Sequence, residues 1–281
     1  MWREIGDAFR KIGTIGDGCR CILMIGSGKG FCGGIDVTDE KFFSELVGNN
    51  VGDDYSSQDV ARKSLAFRSQ ILQMQSAFTA VEECPVPVVS AIHGACIGAG
   101  IDLTCCADVR VCSPDAKFSI REVRLGLAAD VGTLQRFPKI VGFGSLVREL
   151  CLTGGEFISL VTIVYHSLNC MASYFQPTRP DDFNADDALN IGFVSRISPT
   201  NQSLIDTANG VCQKISRNSP VAATITKASL NFSRDHTVLE GLEHVALHNS
   251  TALMSEDLVK SFVMTGGAAP HFAPLHSHSN L

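Results

Sequence analysis

The run Val86 to Ile92, VPVVSAI, lies between Cys84-Pro85 and His93-Gly94 and can fold in few ways. Its length and β-branched content are those of a buried strand, and His93-Gly94 is a turn signal, so a helix has to start soon after it. Gly94, Gly98 and Gly100 let the backbone turn tightly and let a ligand come close. The first N–H groups of the helix that follows have no partner inside it and are suited to an anion. GACIGAGIDL does not fit G-x-G-x-x-G with a glycine at the third position, so the turn is not read as a dinucleotide site.

Three separated carboxylates follow. Asp102 falls in the first turn of the expected helix, where the macrodipole favours a negative side chain by about 0.3–1 kcal/mol, so a stabilising and a catalytic role are both open. Glu122 lies between Arg121 and Arg124, and half of an exposed ion pair worth about 0–1 kcal/mol would account for it. Asp130 ends the apolar run Leu127-Ala128-Ala129. It can cap the helix begun by VGTLQRF, or, poorly solvated, carry a raised pKa suited to proton transfer.

These residues stand in a wider pattern. HGACIGAGIDL, ADVRVC, FSIREVRLGLAADVGTLQRFPK and the earlier GKGFCGGID together resemble the crotonase (enoyl-CoA hydratase/isomerase) superfamily, and the trio Asp102, Glu122 and Asp130 resembles its dienoyl-CoA isomerase branch. The resemblance runs from Trp2 to about Lys260 with one interruption. It implies an α/β fold, with a ββα spiral core and a C-terminal helical oligomerisation region. It also implies an acyl-CoA thioester as substrate, with coenzyme A part of that substrate and no metal or separate cofactor. Backbone N–H groups of Gly33 and Ala99 would form an oxyanion hole, with Gly33, Gly34, Ile35, Asp36 and Gly98 against the substrate. Catalysis would fall to Asp102, Glu122 and Asp130, moving a proton from C2 to C6 so that a 3,5-dienoyl thioester of fatty-acid β-oxidation becomes a 2,4-dienoyl one. Two other readings stay open. One is a 2-enoyl-CoA hydratase whose carboxylates at 102 and 122 activate water, and the other is a catalytically impaired relative that binds acyl-CoA or RNA.

With 281 residues, 45% of them hydrophobic, the chain can bury one large core. It has no apolar run of about 18 residues, so no helical membrane span is expected. A formal charge of −6 and the lack of any lysine- or arginine-rich run argue against a nucleic-acid surface. Eleven cysteines without a C-x-x-C pair read as reduced core residues, not zinc ligands or disulfides.

The expected organisation is a core over 1–200, a helical trimerisation region over 201–262 and a disordered tail over 263–281. Trp2 to Ile15 has helical spacing, Cys21 to Ile25 reads as a short buried strand, and Lys41 to Asp59 as a polar loop. Val60 to Cys84 returns to helical spacing, and the acyl chain is expected along that helix. Ile140 to Thr153, Leu204 to Ser216, Val221 to Phe232 and Val238 to Phe262 read as further helices. The resemblance places strands ahead of Trp2, so a longer N-terminus is expected. It is interrupted at 158–184, read as an insertion in which His166 and Cys170 have i, i+4 spacing but no catalytic signature surrounds them. The implied assembly is a homotrimer or a dimer of trimers. The final Ser-Asn-Leu resembles a relaxed peroxisomal address, so the expected compartment is a peroxisome or a mitochondrion.

Overall fold

The computed structural model describes residues 1–15, 18–36, 59–154, 183–263 and 271–275. In chain order the elements are α1 (Trp2–Ile15), β1 (Ile22–Ile25), α2 (Val60–Glu83), β2 (Val88–Ile92), β3 (Ala95–Ile97), α3 (Ala99–Cys105), β4 (Val109–Cys112) and β5 (Lys117–Ser119). A 3-10 turn (Glu122–Leu125), α4 (Thr133–Val141), α5 (Ser145–Thr153), β6 (Phe183–Asn184), α6 (Ala185–Asn190) and β7 (Arg196–Ile197) follow. The chain continues through α7 (Leu204–Ser216), α8 (Pro220–Ser233), α9 (Val238–Ala252) and α10 (Glu256–Val263). Among the described residues no helix is long and apolar enough to cross a membrane.

Strands β1, β2, β4 and β7 form a parallel sheet in the order β1-β2-β4-β7, and β3, β5 and β6 form a second, smaller sheet. All five residues of β2 are buried, because both of its faces are covered. Val89 and Ala91 pack with Leu204, Ala208 and Val211 of α7, while Val88 and Ile92 enter the main core. A parallel strand covered on both faces reads as a continuous apolar run, which is why VPVVSAI lacks alternation. Beneath the second sheet, Phe118, Phe137, Phe183 and Phe193 are all fully buried. Phe118 stacks on Phe183 at 5.2 Å between centroids, and Phe137 meets Phe193 at 5.1 Å edge-on. Such pairs add about 0.5–1.5 kcal/mol each beyond their buried area. They tie β5 and α4 together, and with them the segment that carries Glu122 and Asp130.

Several expectations need correction. Among the described residues only β2 pairs with β1, which is half buried with Ile25 42% exposed. Ile140 to Thr153 is not one helix: Gly142, at φ 99°, ends α4, and α5 begins at Ser145. Val238 to Phe262 also breaks, at Leu253 to Ser255, where the N–H groups of Met254 and Ser255 reach back three residues instead of four. Of the interruption read at 158–184, only Phe183 and Asn184 fall among the described residues. Phe183 belongs to the aromatic core, and Asn184 caps α6 by accepting the Asp187 N–H at 2.9 Å. Within the tail, Phe272 is buried and its carbonyl accepts from Arg20. Residues 37–58, 155–182 and 276–281 lie outside the described set. They include the polar loop up to Gln58, His166, Cys170 and the final tripeptide.

The C-terminal helices dock on the base of the sheet. Lys227 of α8, 7% exposed, reaches Asp108 Oδ2 at 2.8 Å and the Val86 carbonyl at 3.3 Å. Thr224 Oγ1 donates to the Pro85 carbonyl at 3.1 Å, so α8 holds the chain where it enters β2.

Candidate active site

The glycine loop GKGFCGG is laid down beside β3 as if it were another strand. Phe31 N–H donates to the His93 carbonyl at 2.8 Å, Cys32 N–H to Ala95 at 2.9 Å, and Ile97 N–H back to Cys32 at 2.9 Å. Cys32 and Cys96 thereby form a parallel bridge. This pairing brings Gly34 against the Ile97–Gly98 peptide, so close that a Cβ on Gly34 would stand 3.0 Å from the Ile97 oxygen. Gly98 has φ 55°, and its N–H is held by the Ser119 carbonyl of β5 at 2.9 Å. A side chain there is excluded twice, by the left-handed backbone and by Glu122, whose Oε1 would lie 3.2 Å from the added Cβ. The two glycine turns and the Glu122 carboxyl therefore meet at one place.

Around that place are unused donors. Among the described residues, no acceptor takes the N–H of Gly33 or Ala99. Ala99 is the first residue of α3, where an N–H has no intrahelical partner. A Cβ on Gly33 would meet nothing within 4 Å, so that turn faces open space. Ile35 is half buried and Asp36 exposed at the end of the same stretch.

Glu122 is not the exposed ion pair that its neighbours suggested. Arg121 Nε turns to Ser119 Oγ at 3.1 Å and Arg124 Nε to the Thr153 carbonyl at 3.3 Å. Glu122 Oε2 is buried and accepts no hydrogen bond. Burial pushes its pKa up to about 7, and the charges of Asp102 and Asp130 add to the effect. The three carboxyls are thus electrostatic neighbours.

The other two exchange the structural role that the sequence suggested. Helix α4 has Gly132 at its N-cap, with no side-chain cap from Asp130. Asp102, 1% exposed, reaches across from α3, and its Oδ1 accepts the Thr133 N–H at 2.6 Å. Burial raises the Asp102 pKa, with the Thr133 hydrogen bond opposing it. Asp130 sits at the open rim, and partial burial still raises its pKa. Its carbonyl is held by Gln75 Nε2 at 2.6 Å. Gln75 also lines a groove of about 550 Å³ along α2, together with Phe67, Ile71 and Leu72. The groove and Asp130 are therefore joined through one side chain, a link for which the sequence carried no signal.

Residues 1–159, more than half of the chain, match the family model described as Enoyl-CoA hydratase/isomerase. The chain belongs to the enoyl-CoA hydratase/isomerase family. Within this family it is 41% identical over 265 residues to the human protein named Delta(3,5)-Delta(2,4)-dienoyl-CoA isomerase, mitochondrial, covering 94% of this chain and 70% of that one. It is 38% identical over 237 residues to the peroxisomal protein of that name from Arabidopsis thaliana, covering 84% of this chain and 73% of that one. The crystal structure of an enoyl-CoA hydratase from Bacillus anthracis superposes with a TM-score of 0.74 at 20% identity, over 96% of this chain and 87% of that one. That likeness establishes the enoyl-CoA hydratase/isomerase fold, in agreement with the α/β spiral core expected from the sequence.

Proposed function

We propose that this protein converts 3,5-dienoyl-CoA to 2,4-dienoyl-CoA, with Glu122 exchanging the proton at C2 and Asp130 the proton at C6. The observation that carries the reading is the Glu122 carboxyl. It lies against Gly98, free of any counter-ion among the described residues, with a pKa of about 7. A carboxyl of that pKa can both take and release a proton near neutral pH.

The chemistry follows. Gly33 and Ala99 N–H groups donate to the thioester oxygen, on which negative charge gathers when a C2 proton leaves, and two such fixed donors stabilise it by several kcal/mol. Glu122 takes that proton. In a 3,5-diene the charge spreads through C4 to C6, where protonated Asp130 delivers its proton and leaves the double bonds at 2 and 4. Glu122 ends protonated and Asp130 ionised, and exchange with solvent restores both. Gly34, Ile35, Asp36 and Gly98 complete the wall around the thioester, and the acyl tail follows the groove along α2 towards Gln75. Asp102 holds the Asp130–Thr133 turn in place. Because its Oδ1 is committed to Thr133, it is poorly placed to activate water, which weighs against the hydratase reading. No step needs a metal or redox group. The names of the human and Arabidopsis relatives favour a mitochondrion or a peroxisome as the compartment. A trimer or dimer of trimers is the assembly we propose.

Growth of the 2,4-diene absorbance from 3,5-dienoyl-CoA, measured beside hydration of 2-enoyl-CoA, tests the reading. Isomerisation should dominate. Asp130→Asn should lower it at least 10²-fold, the usual cost of losing a general acid, while C2 deuterium exchange through Glu122 continues. Faster hydration than isomerisation, or normal isomerisation by Asp130→Asn, would overturn it.

A further inference from the structure

Beneath the Asp130–Thr133 turn lies a set of charged groups that the reaction does not touch. Arg136, one turn into α4, folds back under Gly132, with its Nη1 occupying the space that a Cβ on Gly132 would fill, and Gly132 has φ 135°. The same nitrogen lies 3.5 Å from the Val131 carbonyl. The guanidinium is gripped from α2 at two points, by Glu82 Oε2 at 2.8 Å and by Thr79 Oγ1 at 3.0 Å. The other oxygen of Glu82 pairs with the guanidinium of Arg234, just past the end of α8. The Arg136 and Glu82 side chains are only 12% and 11% exposed. Burial by itself raises the Glu82 pKa, and the two guanidinium groups outweigh it and hold the carboxyl below its usual range.

A buried ion pair of this kind is weak evidence for net stability, since desolvation offsets most of the Coulombic attraction. Its geometry offers a better account. The Asp130–Thr133 turn carries Asp130 at one end and the N–H gripped by Asp102 at the other. Between them, Arg136 supports the backbone of Val131 and Gly132 from below. We infer that Arg136, clamped by Thr79 and Glu82 and braced through Glu82 by Arg234, is a positioning residue that sets Asp130 against C6 of the substrate. It acts only through the turn. A lysine cannot replace it, because an ammonium on a flexible stem lacks the planar fork that spans Glu82, Thr79 and Val131 together. The inference rests on the isomerase reading, because it concerns only the step at C6.

The test compares two rates in each protein, isomerisation of 3,5-dienoyl-CoA and C2 deuterium exchange on the same substrate. Arg136→Lys should lower the isomerisation kcat by about tenfold to 10²-fold, the scale expected from misplacing a catalytic group by up to 1 Å, with KM and C2 exchange nearly unchanged. Glu82→Gln should do the same more weakly. Thr79→Val removes one hydrogen bond and keeps the ion pair, so it should fold even where the charged variants do not, and should lower the ratio of isomerisation to exchange about threefold. Equal losses of both rates in Thr79→Val and Arg136→Lys, or ratios at the parent value, would overturn the positioning role while leaving the isomerase reading intact. A parent protein that exchanges C2 without isomerising would overturn both.

Discussion

Glu122 illustrates how a single side chain can be pulled away from its ordinary chemistry. Unfolded, a glutamate releases its proton near 4.5, whereas folded Glu122 holds it to about 7. Between those values the folded state binds the extra proton. The contribution of this carboxyl to stability is therefore full below about 4.5 and is lost as pH rises through about 7. Two outcomes are expected. The rate of C2 deuterium exchange should rise with pH around an inflection near 7, not near 4.5. Glu122→Gln, although inactive, should melt about 2–4 °C above the parent at pH 8, corresponding to about 1 kcal/mol after allowance for solvent screening, and the two should converge at pH 5. Equal melting temperatures at pH 8 would show that the carboxyl is not strained by burial. Asp102 and Asp130 separate in the opposite sense. Asp102→Ala strips the cap from α4 and leaves the Thr133 N–H without its acceptor, so stability to urea should fall by about 1–2 kcal/mol. Asp130→Asn, which touches no cap, should stay within about 0.5 kcal/mol of the parent. A similar loss in both variants would mean that the caps are misassigned.

At the scale of the element, the site depends on turns whose value lies in their backbone. Among the described residues no acceptor takes the N–H of Gly33 or of Ala99 at the N-terminus of α3, and Gly33 has open room where a side chain would go. Gly33→Ala should therefore be tolerated, whereas Gly33→Pro deletes a donor and should lower kcat by about 10²–10³. Steady-state isomerisation by the two folded variants checks this, and equal activity would place the oxyanion hole elsewhere. Much of this was legible in the sequence because it is local. The apolar run of β2, the glycines that follow it and the order of the three carboxylates are all near neighbours in the chain. What stayed hidden was long-range. The Asp102 cap joins residues 31 apart, and the Arg136–Glu82 pair joins residues 54 apart, so no window of spacing contains either. The two helix breaks were hidden for a different reason. Gly142 and the Ser255-Glu256 step carried start and stop signals, but apolar periodicity ran on through both and masked them.

At the scale of the whole molecule, the last helices pose a problem that the single chain does not solve. Helix α9 touches α8 through one edge, centred on Gly241, His244 and Val245, and turns the rest of its surface outward. Part of that outward surface is apolar: Leu239 is 68% exposed, Leu242 59% and Leu247 71%, with Leu253, just past the end of α9, at 57%. Monomeric proteins rarely leave large apolar patches bare, and each leucine that is fully covered contributes about 1.5–3 kcal/mol. A second copy is the occupant that fits best, because these exposed leucines belong to a helix packed on α8, which is docked to the core through Lys227 and Thr224. We therefore expect the native protein to be a trimer, or a pair of trimers, by light scattering. The double variant Leu239→Glu with Leu242→Glu should shift it to the mass of one chain, 30.1 kDa, without changing its far-UV circular dichroism. Both side chains point to solvent in the isolated chain, so nothing inside the fold should be disturbed. An oligomer that survives both glutamates would put the interface on another face, and a parent that is already monomeric would leave these leucines without a partner.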